Sequence, residues 1–175
     1  MARTIKGVTI ECVQGDITRQ EGFDAVVNAA NAELRPGGGV SGAIHRAAGP
    51  GLAEECRPLA PIKPGQAVIT SAHKLPNRFV IHCLGPVYGV DKPSDRLLAD
   101  CYRNALKLAD RYEISSIAFP AISTGAFGYP VREAAEEACR AIVETIPALK
   151  SVKRIRFVLR DAEPVRVHEE ALASA

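Results

Sequence analysis

Short apolar runs alternate with helical patterns along the whole chain, and this alternation is the feature that most constrains the fold. Segments rich in β-branched and apolar residues predict strands at 8–13, 25–27, 67–70, 79–83, 116–119 and 155–159. Apolar residues at helical spacing predict helices at 41–48, 51–57, 94–112, 130–146 and 165–173, with Ser94 as a helix N-cap. Strands that alternate with helices predict an α/β fold, with a mostly parallel sheet covered by helices on both faces.

Composition limits the class of protein. The 175 residues are 47% hydrophobic and 24% charged, which fits a single folded domain over residues 1–175. A net charge of +2, no tryptophan and 5% aromatic residues argue against a nucleic-acid-binding protein. The amino terminus lacks the apolar run of a signal peptide, and the longest uncharged stretch, 114–131, is interrupted by glycines and prolines. We therefore expect no membrane association.

Cysteine and histidine spacing gives no sign of a metal or a disulfide framework. The five cysteines are odd in number and contain no C-x-x-C pair, so they predict buried thiols in a reducing cytoplasm. The four histidines show no metal-ligand spacing. His82 lies in an apolar strand and is predicted to be a core residue, whereas His45 lies one helical turn after Ser41 and is predicted to line the same cleft.

Two glycine-rich loops lie where strands are predicted to lead into helices. Residues 36–42 read P-G-G-G-V-S-G, and residues 123–130 read S-T-G-A-F-G-Y-P. Glycines before a helix allow a backbone to approach a ligand, and the first N–H groups of the helix attract anions. The alternative for the first loop is a flexible surface turn. The second loop has no lysine of the G-x-x-x-x-G-K-[ST] type, so it predicts a diphosphate site that uses backbone donors and no metal.

Two familiar motifs are only partly matched in the first loop. Gly37, Gly39 and Gly42 formally fit G-x-G-x-x-G, but eight residues separate Asn28 at the strand end from Gly37 and no acidic residue follows about 20 positions later. Ser41 lies in G-V-S-G-A, which lacks the second glycine of a nucleophile elbow. A dinucleotide-binding fold and a serine hydrolase are therefore both disfavoured.

Polar residues near these loops have structural and functional interpretations. Asn28 and Asn31 follow a buried strand, and we predict that Asn28 is structural and Asn31 faces a ligand. Asp16 follows the first strand, where an isolated aspartate is most often an Asx-turn or a helix cap. Phe127 is equally consistent with core packing and with packing against a sugar.

Five motifs in order give the chain a specific resemblance. They are G-D-I-T, V-V-N-A-A-N, G-G-G-V-x-G-A-I-H-R-A-A-G, F-V-I-H-C-L-G-P and A-F-P-A-I-S-T-G-A-F-G-Y-P. Over about residues 8–172 the chain resembles the MacroD-type branch of the macro domain family. The resemblance implies a three-layer α/β/α sandwich around a mixed, mostly parallel sheet. It also implies binding of ADP-ribose and hydrolysis of ADP-ribose esters, both O-acetyl-ADP-ribose and mono-ADP-ribose on acidic side chains, by a monomer without a cofactor.

The same resemblance implies a role for each matching residue. Asp16 would accept a hydrogen bond from the adenine amine near the Ile17 N–H, in contrast to the interpretation from the turn alone. Asn31 would hold the distal ribose, which Gly38, Gly39 and Val40 would line together with the diphosphate. The residues implied to hold the diphosphate are Ser123, Thr124, Gly125, Ala126 and Phe127.

Two positions depart from the family pattern. Ser41 stands where hydrolytic members usually carry aspartate, so the carboxylate that would position water is missing. Arg160 aligns where many members place an aromatic residue near adenine, and its guanidinium would stack there instead. The alternatives are an ADP-ribose ester hydrolase that uses Ser41, His45 and Asn31, with weak activity or with help from a substrate phosphate, and a binding module without turnover. A protein that binds RNA or poly(ADP-ribose) is a third alternative, disfavoured by charge and composition.

Overall fold

A computed structural model describes residues 2–175, and its seven strands form one sheet. The strand order is β1-β2-β7-β6-β3-β5-β4. The strands are β1 (Ala2–Ile5), β2 (Val8–Gln14), β3 (Ala25–Ala29), β4 (Ala67–Ser71), β5 (Phe79–Cys83), β6 (Ser116–Phe119) and β7 (Arg154–Leu159). The five central strands run parallel, whereas β1 and β4 at the two edges pair antiparallel with their neighbours. The sheet is therefore mixed and mostly parallel, as expected.

Five α-helices cover the two faces of this sheet. They are α1 (Gly39–Ala48), α2 (Gly51–Cys56), α3 (Ser94–Arg111), α4 (Val131–Thr145) and α5 (Ala162–Ser174). Neighbouring strand residues point to opposite faces, so Val27 packs with α3, α4 and α5, while Val26 packs with α1 and α2. The three-layer α/β/α sandwich is confirmed.

The structure corrects the predicted elements in two places. β1 was not predicted, because its four residues alternate between exposed and half-buried positions and include Arg3. Ser94 is the first residue of α3, and Pro93 occupies the N-cap position. The Ser94 hydroxyl instead donates to the Asp91 carbonyl at 2.6 Å and accepts from the Gly89 N–H at 3.2 Å, so it closes the preceding loop.

All five cysteines are buried free thiols, as predicted. Among residues 2–175, no helix is both long and apolar enough to cross a bilayer.

A buried polar cluster joins three neighbouring strands under the carboxyl edge of the sheet. The Asn28 amide on β3 donates to His82 Nδ1 on β5 at 3.1 Å, and His82 Nε2 lies 3.0 Å from Thr70 Oγ1 on β4. Because Nδ1 accepts, the ring proton is on Nε2 and is donated to Thr70. His82 is fully buried, and this burial lowers the pKa of its imidazole to about 3. The predicted structural role of Asn28 and the core position of His82 are confirmed.

The depressed pKa of His82 makes stability depend on pH. An unfolded histidine has a pKa of about 6.5, so below that pH the unfolded chain takes up a proton that the folded chain excludes. The free energy of unfolding should fall as pH decreases from about 6.5 to about 3, the pKa of His82 in the folded chain, by up to about 1.4 kcal/mol per pH unit for this one group. Burial also lowers the pKa of His45 and of His168, which adds to the slope. Urea denaturation across this range, compared with His82→Gln, measures the effect. An equal slope in the variant would show that His82 does not take part.

Candidate functional site

A cleft of about 600 Å³ opens at the carboxyl ends of β3, β6 and β7. This is where ligands bind in sheets of this type, because the loops that lead into the helices meet there. The walls include 11 of the predicted residues: Asn31, Gly38, Gly39, Val40, Ser41, Ser123, Thr124, Gly125, Ala126, Phe127 and Arg160. These predicted residues come from four separate stretches of sequence and converge on one cavity.

The first wall is the loop between β3 and α1. The Asn31 side chain closes this loop, because its Nδ2 donates to the Arg35 carbonyl at 2.8 Å and its Oδ1 accepts from the Arg35 N–H at 3.0 Å. One amide hydrogen and one lone pair of Asn31 remain for a ligand. α1 begins at Gly39, whose φ of +54° favours glycine, and the N-cap Gly38 offers no side chain to the first turn of the helix.

Ser41 lies in the first turn of α1 and lines the cleft. It is 5% exposed, and its hydroxyl donates to the Arg35 carbonyl across 3.4 Å. A serine hydroxyl has no acid–base capacity near neutral pH unless a base activates it. No basic group contacts Ser41 among residues 2–175, and its one hydrogen-bond contact is with the Arg35 carbonyl of the loop before α1.

The second wall is the loop between β6 and α4. The Ser123 hydroxyl donates to the Pro86 carbonyl at 2.8 Å, and the Thr124 hydroxyl donates to the Ala121 carbonyl at 2.8 Å. Both hydroxyl groups donate their hydrogen bonds to carbonyl groups of the protein, so this wall presents mainly backbone to the cleft. Open space surrounds Gly125, and the loop leads directly into α4 without a capping side chain. Phe127 is partly buried against the α1–α2 side of the core and also lines the cleft, so it packs on the core as one interpretation predicted, and its contact with a sugar stays a prediction.

The third wall is the end of β7 and the start of α5. Arg160 is exposed, and its carbonyl accepts from the Gln14 amide at 3.2 Å. Asp161 is the N-cap residue of α5 and forms no side-chain cap. Sequence reasoning missed Asp161 and Gly85, which also line the cleft. Asp161 follows a correctly predicted strand, and that position was the signal that could have identified it.

Three predicted site residues do not line the cleft. Ile17 is buried, and Asp16 forms an Asx-turn in which Thr18 donates its N–H at 2.9 Å and its hydroxyl at 2.7 Å. These bonds hold the pKa of Asp16 below its usual range, and the other carboxylate oxygen, Oδ2, lies 4.0 Å from Arg19 Nε. The neighbouring Gly15 N–H bonds to the Leu159 carbonyl at 2.8 Å, which places this turn beside the third wall.

His45 does not lie where it was expected, in the wall of the cleft. His45 is 6% exposed, because at its position one turn after Ser41 the side chain faces the sheet. Neither of its ring nitrogens has a hydrogen-bond partner among residues 2–175. Burial lowers the pKa of His45, so the ring is neutral near pH 7.

The electrostatics of the cleft come from backbone dipoles. The amino ends of α1, α4 and α5 all contribute residues to its walls, and each carries about half a positive charge. Arg160 and Asp161 are the ionisable residues in the walls. Among residues 2–175, no group of three or more histidine, cysteine or acidic side chains is placed to hold a metal. The arrangement fits an anionic, phosphate-bearing ligand with an apolar portion.

Gly85 packs closely against Ile122 and Ser123 of the second wall. This contact predicts how a substitution at Gly85 changes the free energy of unfolding. A Cβ at Gly85 would lie 2.6 Å from Ile122 Cγ2 and closer still to the Ser123 hydroxyl. We expect Gly85→Ala to displace the loop and to lower the free energy of unfolding by about 1–3 kcal/mol. Gly125→Ala, in open space, is the matched control and should change it by less than about 0.5 kcal/mol. Denaturant titration of both variants makes the comparison, and equal stability would mean that Gly85 does not limit the loop.

Comparisons with known proteins were made for the whole chain. The family model described as "Macro domain" matches residues 27–138. The chain is 47% identical over 169 residues to an O-acetyl-ADP-ribose deacetylase of Klebsiella pneumoniae, with 94% of this chain and 96% of that protein covered. A solved macrodomain variant of Oceanobacillus iheyensis with ADPR superimposes with a TM-score of 0.94 at 40% identity, covering 99% of this chain and 97% of that one. A Trypanosoma brucei macrodomain in complex with ADP-ribose gives a TM-score of 0.86 at 34% identity, covering 93% of this chain and 68% of that one. The chain therefore belongs to the macro domain family.

Proposed function

We propose that this protein binds ADP-ribose in the cleft. The observation that carries the proposal is the convergence of two backbone loops and three helix amino ends on one cavity of suitable size. Backbone N–H groups suit a diphosphate, whose charge the helix dipoles favour. The relatives solved with ADPR or ADP-ribose support the same ligand.

The proposed position of the ligand combines the walls of the cleft with the residue roles that the family resemblance implies. The diphosphate lies along residues 123–127 and the first turn of α1, and the distal ribose lies against Asn31 and Gly38. The adenine lies at the third wall, with Arg160 over its face and its amine toward Oδ2 of Asp16. The buried Ile17 contributes only its backbone N–H. This placement requires no metal ion and no cofactor.

We further propose slow hydrolysis of ADP-ribose esters at the distal ribose end. In O-acetyl-ADP-ribose, water would add to the acyl carbon and the ribose oxygen would leave, which gives acetate and ADP-ribose. On a modified glutamate, the products would be ADP-ribose and the free carboxylate. The relatives named O-acetyl-ADP-ribose deacetylase support this reaction class.

The chemistry lacks an evident base in the cleft. Ser41 can orient a water molecule but cannot readily take its proton. His45 is neutral but stays behind the wall, so it would have to act through a movement of α1 or through another group. A phosphate of the substrate is the remaining candidate. The lack of a base in the cleft favours the alternative function, a binding module without turnover.

The proposal has four further parts. The whole chain, residues 1–175, acts as one domain and as a monomer. It acts on mono-ADP-ribosylated proteins in the cytoplasm, where five buried free thiols stay reduced.

Calorimetry tests the binding proposal. ADP-ribose should bind with one site per chain in the presence of EDTA, because the cleft uses backbone donors. ADP and AMP should bind more weakly, because they lack the distal ribose that Asn31 contacts. Asp16→Ala should weaken binding by about 1.5–3 kcal/mol, the range for a hydrogen bond to a charged group.

Gly125 provides the matched variants for this experiment. Gly125→Glu should abolish binding without unfolding the protein, because its side chain enters the phosphate path from open space. Gly125→Val separates bulk from charge, and Gly125→Ala should bind nearly as wild type. Wild-type affinity in Gly125→Glu would contradict the proposed position of the diphosphate.

Ser41→Asp tests what limits turnover. General-base assistance typically gives about 10²–10⁴-fold, so the added carboxylate should raise the single-turnover rate more than it changes ADP-ribose affinity. Release of ADP-ribose from a glutamate-modified protein is the measurement. His45→Gln, with its stability checked, shows whether the histidine supplies the base. No gain from Ser41→Asp with intact binding would mean that residue 41 does not limit the reaction.

A further inference from the structure

The third wall of the cleft differs from the other two in carrying an acidic residue at the amino end of its helix. The N-cap residues of α1 and α4 are the uncharged Gly38 and Pro130, whereas the N-cap residue of α5 is Asp161. A carboxylate at this position offsets the positive end of the helix dipole. The third wall is therefore less suited to a phosphate than the first two walls.

Asp161 does not use its carboxylate within the protein. An N-cap aspartate normally accepts a hydrogen bond from the N–H of the second or third helical residue. In α5 the third residue is Pro164, which has no N–H, and Asp161 forms no side-chain cap. No hydrogen bond or ion pair joins its carboxylate to any residue from 2 to 175. Because Asp161 lines the cleft and is exposed, both carboxylate oxygens are available to a ligand there.

The neighbouring charge, that of Arg160, acts on a different part of the third wall. Hydrogen bonds from Thr18 are the main cause of the lowered pKa of Asp16, and the charge of Arg160 adds to this shift. The guanidinium of Arg160 therefore acts on the side of the wall that holds Asp16. Asp161 has an extended backbone, with φ of −128° and ψ of 158°, so its side chain points in a different direction from that of Arg160. The wall thus has a cation toward Asp16 and a carboxylate at the start of α5.

The proposed position of ADP-ribose determines which part of the ligand meets this carboxylate, so this step rests on the proposed function. The diphosphate lies along residues 123–127 and the adenine lies under Arg160. The adenosine ribose is bonded to both groups and lies between them. The cleft residues at the starts of α4 and α5, two helices that pack on each other, are Val131, Asp161 and Pro164. The adenosine ribose therefore lies next to Asp161.

We infer that Asp161 is a specificity-determining residue, which selects an adenosine ribose with free 2′- and 3′-hydroxyl groups. Each of these hydroxyls can donate to the carboxylate, which is how an acidic residue recognises the same ribose in many dinucleotide-binding proteins. A phosphate on the 2′-oxygen removes one donor and places a second anion beside the carboxylate, which opposes binding. The cleft is therefore selective for ADP-ribose over 2′-phospho-ADP-ribose.

Calorimetry with three ligands tests this inference. They are ADP-ribose, 2′-phospho-ADP-ribose and the ADP-ribose analogue that contains 2′-deoxyadenosine. All titrations use the same low ionic strength, because salt screens an exposed charge. The wild-type chain should bind 2′-phospho-ADP-ribose roughly tenfold more weakly than ADP-ribose, because of the repulsion from Asp161. The deoxy analogue should also bind roughly tenfold more weakly, because it lacks one donor to the carboxylate.

Matched variants decide whether Asp161 is responsible. Asp161→Asn removes the charge with little change of shape, so the preference for ADP-ribose over its 2′-phosphorylated form should fall to within about twofold. Asp161→Ala also removes both acceptors, so it should bind ADP-ribose and the deoxy analogue equally. Asp95→Asn is the control, because it removes a carboxylate from the first turn of α3, which does not line the cleft. This control should keep the wild-type preference.

Several outcomes would overturn the inference. Equal binding of ADP-ribose and 2′-phospho-ADP-ribose by the wild-type chain is one, and a preference that Asp161→Asn leaves unchanged is another. Tighter binding of the phosphorylated form would also overturn it and would make Arg160 the partner of the phosphate. Failure of the wild-type chain to bind ADP-ribose at all would overturn the proposed function and this inference with it. Intact ADP-ribose binding without discrimination would overturn this inference alone.

Discussion

The cleft depends on backbone N–H groups that the protein leaves without side-chain caps at the start of three helices. Gly38 and Pro130 at the N-caps of α1 and α4 have no side chain that accepts a hydrogen bond, and Asp161 at α5 forms no cap. Uncapped first turns cost stability in an isolated helix, and a bound anion would recover it. The rest of the fold holds these ends together: parallel strands bring their carboxyl ends to one edge, and the loops start there.

The loops keep their shape through bonds that face away from the ligand. Asn31 closes the first loop on Arg35, and Ser123 ties the second to Pro86. Below them, the His82 cluster joins β3, β5 and β4 without a net charge. Polar side chains thus fix the walls, and the main chain faces the cavity. Such a site is organised before a ligand arrives, which lowers the entropic cost of binding.

Much of this was predictable from the sequence, because the deciding signals are local. Apolar runs gave six strands, helical periodicity gave five helices, and the glycine-rich loops placed two walls of the cleft. β1 was missed because an edge strand buries little and needs no apolar run. The prediction that His45 lines the cleft was wrong, because a spacing of four residues along a helix sets the direction of a side chain only approximately. Packing of the helix on the sheet turns His45 toward the sheet. The contact between the Tyr88 and Tyr129 rings was not predictable from the sequence, because the two residues meet only through the fold.

The division between main chain and side chains predicts that binding and any hydrolysis respond differently to substitution in this protein. Backbone donors do not change when a side chain is replaced, so the cleft can keep its affinity for a diphosphate while residue 41 varies between serine and aspartate. Proton transfer, in contrast, depends on a particular side chain or substrate group, because it needs a group of suitable pKa within reach of the reacting water. A replacement in the first turn of α1 is therefore expected to affect hydrolysis more than binding. In this chain, Ser41 lies in that turn, and its hydroxyl lies 3.4 Å from the Arg35 carbonyl of the loop before the helix.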